Sequence, residues 1–168
     1  YVAARGFSSH EHTGTHVDAP CHFSKGLPCV SELPLAQLMG AAVKIDLSEK
    51  TKNNRDYQIT VDDLKRWEKT HGKIQNHSIV LLSTGYAKHW SNLTLYSGTT
   101  KRGEAAASDL HFPGLSLEAA EWLVNSRQIN AIGIDTFSID YGQGHAFKTH
   151  QFLTKHQIPI FENVADMT

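Results

Sequence analysis

Four of the eleven histidines fall between His10 and Phe23, in the run His-Glu-His-Thr-Gly-Thr-His-Val-Asp-Ala-Pro-Cys-His-Phe. Within it, His12, His16, Asp18 and His22 all occupy even-numbered positions. Successive side chains of an extended chain alternate, so these four point to one face. On a helix, at about 100° per residue, they would scatter around the axis, and Gly14 and Pro20 would weaken that helix. The spacing predicts an extended segment with one polar face, bent at Gly14 and Pro20.

Neutral imidazole and carboxylate are the usual ligands of zinc, manganese and iron(II). Gly14 lies on the same face between His12 and His16, which leaves room for an ion between the rings. A straight strand rises about 3.3 Å per residue, so His12 and His22 could not share one ion along it. Either the segment curves strongly, or it serves two ions, or His22 is not a ligand. The expected combination is a bent segment with His22 left free for proton transfer. A helical zinc protease of the H-E-x-x-H type is excluded, because Thr13 follows His12.

Metal sites draw ligands from distant parts of a chain, and the elements decide which residues can arrive. A strand is expected over Ala41–Leu47, a capped helix over Thr60–Thr70, and a buried strand over Ser78–Ser83. A second helix is expected over Ser116–Arg127, a buried strand over Ala131–Ile134, a helix over Ala146–Lys155 and a last strand over Ile158–Phe161. Tyr1–Ser9 reads as a short β-type run and Leu33–Met39 as a short helix. Lys50–Tyr57 and residues 91–109 read as loops. Strands alternate with helices through the second half, which predicts an α/β layered fold. On these elements His150 and Glu162 are the best distal candidates, Glu162 because a carboxylate directly after an apolar strand leaves the core or faces a cleft. Asp135 ends a strand, where open α/β sheets often place a site, but it could equally cap the next turn. His145 could line a pocket from a loop, and the remaining histidines have no constellation around them.

The chain of 168 residues suggests one domain with a sizeable core. A net charge of −1 asks for neither nucleic acid nor a membrane surface, and no apolar run approaches bilayer length. Cys21 and Cys29 are too few for a disulfide scaffold; a single bridge between them stays open, but two free thiols are the leading expectation. Asn76-His-Ser and Asn92-Leu-Thr match the glycosylation pattern, so the compartment stays open between cytoplasm and export.

The run His12-Thr-Gly14-Thr15-His16-Val-Asp18-Ala-Pro20-Cys-His22 resembles the motif of the cyclase family, which includes bacterial-type kynurenine formamidases and isatin hydrolases. Phe112-Pro-Gly-Leu-Ser116, Gly133-Ile-Asp-Thr136, and His150 followed by Glu162-Asn163 are similar to further stretches of that family. The resemblance implies a swivelling β/β/α fold with a mixed sheet, commonly a homodimer or higher homo-oligomer. It implies one or two divalent ions per subunit, Zn2+ ahead of Mn2+. His12, His16 and Asp18 match ligands of a first metal. Asp18, His150 and Glu162 match those of a second, with Asp18 bridging, and His22 matches the general acid/base. Family members carry a longer strand and loop before the motif, so a preceding segment is expected.

The expected activity is metal-dependent hydrolysis of a non-peptide amide, an aryl formamide such as N-formylkynurenine or a small cyclic amide. No Ser or Cys nucleophile is needed. Two other classes stay open: a metal-binding secreted protein without catalysis, although binding alone does not call for His22, and a purely structural domain with a satisfied polar strand, which should retain no stoichiometric metal.

Overall fold

The computed structural model describes residues 1–165 and 167. Its elements run β1 (His16–Asp18), β2 (Ala42–Asp46), α1 (Ser48–Thr51), β3 (Gln58–Ile59), α2 (Val61–His71), β4 (Ile79–Ser83) and α3 (Leu93–Ser97). There follow β5 (Gly114–Leu115), α4 (Leu117–Arg127), β6 (Ala131–Ile134), α5 (Lys148–Lys155) and β7 (Ile160–Glu162). Five strands form one mixed sheet in the order β1-β7-β6-β4-β2. Only β1 runs antiparallel to its neighbour. Strands β3 and β5 make a separate parallel pair.

Continuous apolar runs suit strands covered on both faces, and β6 is buried at every position. Ile45, Val80, Leu82, Ile132, Ile134 and Ile160 of the sheet pack with Leu64, Ala120, Leu123 and Leu153 of the helices in one core. The α/β architecture expected from strand–helix alternation is what the chain adopts. No helix among the described residues is long and apolar enough to cross a membrane.

Helix starts follow side-chain chemistry. The Thr60 hydroxyl accepts from Asp63 N, and the Asp63 carboxylate accepts from Thr60 N at 3.0 Å and from the Tyr57 hydroxyl at 2.7 Å. This reciprocal cap fixes the entry to α2. Ser116 accepts from Ala119 N and caps α4 in the same way. The two helices are clamped by a two-pronged pair in which Arg127 donates to both oxygens of Glu68.

Several expectations need correction. Residues 1–9 form no strand: no partner edge pairs with them. Residues 91–109 are not one loop, since Asn92 caps α3 through Leu95 N and a 3-10 stretch follows over Gly103–Asp109. The polar stretch from Lys50 begins inside α1, where Asp46 accepts from Ser48 N. Leu33–Met39 shortens to a 3-10 turn over Leu35–Gln37, with Pro34 at its start. Cys21 and Cys29 are not free thiols but a disulfide, brought together because Cys21 N donates to Pro28 O and folds the chain back on itself.

Candidate metal centre

The histidine run is extended only over β1. Gly14 turns the chain before it with φ of 68°, a left-handed value suited to glycine. Pro20 opens a 3-10 turn over Pro20–His22 after it. These are the two bends expected from the sequence. Strict alternation therefore governs His16 and Asp18 alone, while His12 and His22 reach the same place from flanking loops.

Strand pairing sets the centre. His16 stands opposite Glu162 in the β1–β7 ladder, and Asp18 stands two residues further along the same face. His16 Nε2 lies 3.2 Å from Asp18 Oδ1 and 3.7 Å from Glu162 Oε2. From α5, His150 places Nε2 at 2.9 Å from Glu162 Oε1 and 3.3 Å from Asp18 Oδ2. His12 Nδ1 comes within 2.8 Å of Asp18 Oδ1, and His22 Nε2 within 3.8 Å of Asp18 Oδ2. All six residues singled out in the sequence thus meet around Asp18. Their donor atoms fall into two groups of mutual approach: His16, Asp18 and Glu162, and His12, Asp18 and His22. The second group crosses the division expected from the resemblance, because it brings His22 as near to Asp18 as a ligand would stand.

The orientation of His16 tells what the site can hold. Its Nδ1–H donates to the Gly14 carbonyl at 2.8 Å, which leaves the Nε2 lone pair facing the carboxylates. His16 Nε2 and Asp18 Oδ1 are both buried without a hydrogen-bond partner. The close approach of His12 lacks hydrogen-bond direction, so it leaves Asp18 Oδ1 unsatisfied. Buried acceptors facing one another are costly unless a proton or cation lies between them. Ligand bonds of about 2.0 Å in a tetrahedral site put neighbouring ligand atoms about 3.3 Å apart, and the separations here lie on either side of that, from 2.9 Å for His150–Glu162 to 3.7 Å for His16–Glu162. The residues fit a divalent ion.

Charge agrees with that fit. Burial alone would raise the Asp18 carboxyl, but the His150 hydrogen bond and the nearby His22 and His12 outweigh it and hold it below its ordinary range. Burial alone would lower His150; hydrogen bonds to Asp140, Asp18 and Glu162 instead push it up to about 11. Burial lowers His22 more than the nearby Asp18 raises it, so its value lies below the ordinary imidazole range.

Sequence reasoning missed Asp140. Its Oδ2 accepts from His150 Nδ1 at 2.7 Å, and its two oxygens also cap α5 through Thr149 N and His150 N. It is held in place because β5 runs against it: a Cβ at Gly114 would collide with the backbone of Asp140 and Tyr141. Nothing local marks this aspartate, since its partner lies ten residues on and the contact exists only when the loop folds back. Asp135, by contrast, is resolved as a turn fastener that accepts from Thr84 N, Thr84 Oγ1 and Tyr86 N. Glu162 is steadied by Ile139 N at 2.8 Å.

The centre forms the floor of a cavity of about 270 Å3. Phe23, Phe112, Phe137, Tyr141 and Phe147 wall it, and His145 lines it as well. Phe137 and Phe147 remain 47% and 44% exposed, so the cavity presents aromatic surface to an incoming ligand.

Residues 3–141 match the family model named Cyclase. The chain is 29% identical over 137 residues to the isatin hydrolase of Roseibium aggregatum, covering 79% of this chain and 49% of that protein. It is 29% identical over 153 residues to the kynurenine formamidase of Bacillus thuringiensis, covering 91% of this chain and 60% of that one. Among solved structures, isatin hydrolase A from Ralstonia solanacearum superposes with a TM-score of 0.86 at 30% identity, over 96% of this chain and 62% of that one. A structure described as a "predicted metal-dependent hydrolase from Bacillus stearothermophilus" superposes with a TM-score of 0.63 at 29% identity, over 97% and 66%. The chain therefore spans about half to two thirds of the length of these relatives.

Proposed function

The chain belongs to the Cyclase family, and from that premise we propose that it is a metal-dependent amide hydrolase of the arylformamidase type. Its relatives are hydrolases, one of them described as metal-dependent. The observation that carries the reading is the buried, unpartnered pair His16 Nε2 and Asp18 Oδ1. His12, His16, Asp18, His150 and Glu162 would hold one or two divalent ions, with Zn2+ preferred and Mn2+ the alternative for this nitrogen–oxygen set. Such an ion supplies Lewis-acid chemistry, lowering the pKa of water toward neutrality and polarising the substrate carbonyl.

The chain's own residues do the rest. His22 takes the proton of the attacking water at Nε2 and returns it to the leaving nitrogen, a task suited to an imidazole near neutrality. The Gly14 carbonyl holds His16 in the required tautomer, and Asp140 does the same for the His150 ring. The aromatic wall takes the flat aryl part of the substrate and keeps water from the reacting bond. N-formylkynurenine or a related aryl formamide is the proposed substrate. The second reading is a cyclic aryl amide such as isatin, favoured by the close superposition on an isatin hydrolase.

A chain loaded with Zn2+ or Mn2+ should hydrolyse one of these amides, followed by absorbance of the released arylamine. Stoichiometric metal with no turnover of any aryl formamide or cyclic amide would leave a metal-binding protein without this activity. Loss of all metal on dialysis would remove the reading altogether.

A further inference from the structure

His22 and Phe23 sit inside a small covalent ring. Cys21 and Cys29 are bonded across a separation of eight residues, with Cα atoms 5.1 Å apart. Within the ring, Ser24 N donates to Pro20 O and Leu27 N donates to Ser24 O, each at 3.1 Å. The ring is moored to α5 at one polar point, the 3.0 Å contact of Ser24 Oγ with Thr154 Oγ1. Its other moorings are aromatic: Phe23 packs on His150 with ring centroids 4.7 Å apart and on Phe147 at 5.5 Å. His22 in turn packs on Phe23 at 4.6 Å and on His12 at 4.3 Å. Of the proposed ligands, His16, Asp18, His150 and Glu162 are fixed by the sheet and by α5 and do not need this loop; His12 alone touches it, through His22. The loop serves the one residue that must stay unligated yet correctly aimed.

We propose that the Cys21–Cys29 disulfide is a positioning device for His22, so that the hydrolase works when the bond is formed and slows when it is reduced. The inference rests on the hydrolase reading and on His22 as its proton-transfer group. A dithiol reductant delivers two electrons and two protons: the S–S bond breaks, Cys21 and Cys29 become thiols, and the reductant closes to its own disulfide. The opened loop keeps its moorings to α5, but its chain reversal is then held by backbone hydrogen bonds alone, Cys21 N to Pro28 O among them, and the Pro20–His22 turn is less firmly set. Misplacing a catalytic group by about 1 Å can cost about 100-fold in rate.

The test compares the oxidised chain with the same chain treated with dithiothreitol, then freed of reagent under anaerobic conditions. Reduction should lower kcat about 10- to 100-fold. KM and bound metal should change by less than about twofold, and reoxidation should restore turnover. The double variant Cys21→Ser/Cys29→Ser should match the reduced chain and ignore reductant. His22→Ala should keep a residual turnover that reductant does not alter, because the loop then has nothing to aim. Equal kcat in both redox states, a loss that follows metal release, or a His22→Ala chain as redox-sensitive as the parent would each overturn the proposal. Hydrogen exchange separates this failure from failure of the hydrolase reading. Reduction should speed exchange at the Ser24 and Leu27 amides about tenfold or more while α5 stays protected. Unchanged exchange there refutes the device even if the oxidised chain hydrolyses nothing.

Discussion

The two halves of the site are built differently. One half is a buried cage, with Asp18 and Glu162 on paired strands, His150 on α5 and Asp140 behind it. Each is at least nine-tenths buried, and its side chain is fixed by strand register, by backbone donors or, for His150, by the Asp140 carboxylate. The other half, His12 and His22, comes from loops on either side of β1, with side chains 42% and 36% exposed. On the proposed function, the difference follows from what each half would do. Ligands that hold a cation need fixed distances and low dielectric, which a ladder and a buried helix provide. A group that passes protons, the role proposed for His22, must reach water and substrate, so it stands at the rim and needs a local constraint; His12 is the one proposed ligand that shares this exposed position.

The comparison is best broken from the cage side. Asp18→Ala removes the carboxylate that every other donor faces, and should abolish metal retention and lower kcat/KM roughly 1,000-fold or more, since Lewis-acid stabilisation is worth several kcal/mol. Elemental analysis after dialysis, together with rate measurement, checks both. Retained metal in that variant would place the ion elsewhere. His22→Ala tests the rim and should keep bound metal while turnover falls about 100- to 10,000-fold. Loss of metal would make His22 a ligand like His12 and remove its separate proton-transfer role. Asp140→Asn acts one layer out. It keeps an acceptor for the His150 Nδ1–H but removes a negative charge, and should weaken metal affinity or activity about 10- to 100-fold.

The smallest effect is expected far from both halves, at the cap of α2. Burial raises the Asp63 carboxyl, but hydrogen bonds from Thr60 and Tyr57 and the Lys50 charge win and hold it below the ordinary value of 3.8. A depressed folded value means that its stabilisation is present above that value and is lost as pH falls through the folded one. Asp63→Asn should therefore cost about 1 kcal/mol near pH 7, seen as a Tm a few degrees lower. The deficit against the parent should shrink in acid. Metal content should not change.

The same two halves differ in how far they could be read from the sequence. His12, His16, Asp18 and His22 lie within eleven residues, so period and parity expose them without any knowledge of the fold. Gly14 and Pro20 announce the bends, and capping residues place α2 and α4 within a residue of their observed starts. His150 and Glu162 carry no local signal beyond their elements and were raised by resemblance. Asp140 and the aromatic wall escaped because they act through contacts between loops, where neither periodicity nor propensity speaks. The disulfide was missed for a related reason: cysteine count gives a prior on pairing, while the reversal at Pro28 that brings the sulfurs together is tertiary. Helix α3 was hidden in a polar run whose cap, Asn92, looked like one more loop residue.

The most direct test is anomalous diffraction from crystals grown with Zn2+, measured on both sides of the zinc absorption edge. A peak bounded by His16 Nε2, Asp18 and Glu162 is expected, lost in an Asp18→Ala crystal. A peak only at surface histidines such as His71 or His156, with His16 Nε2 and Asp18 Oδ1 still facing each other unbridged, would contradict the shared cation on which the proposed function depends.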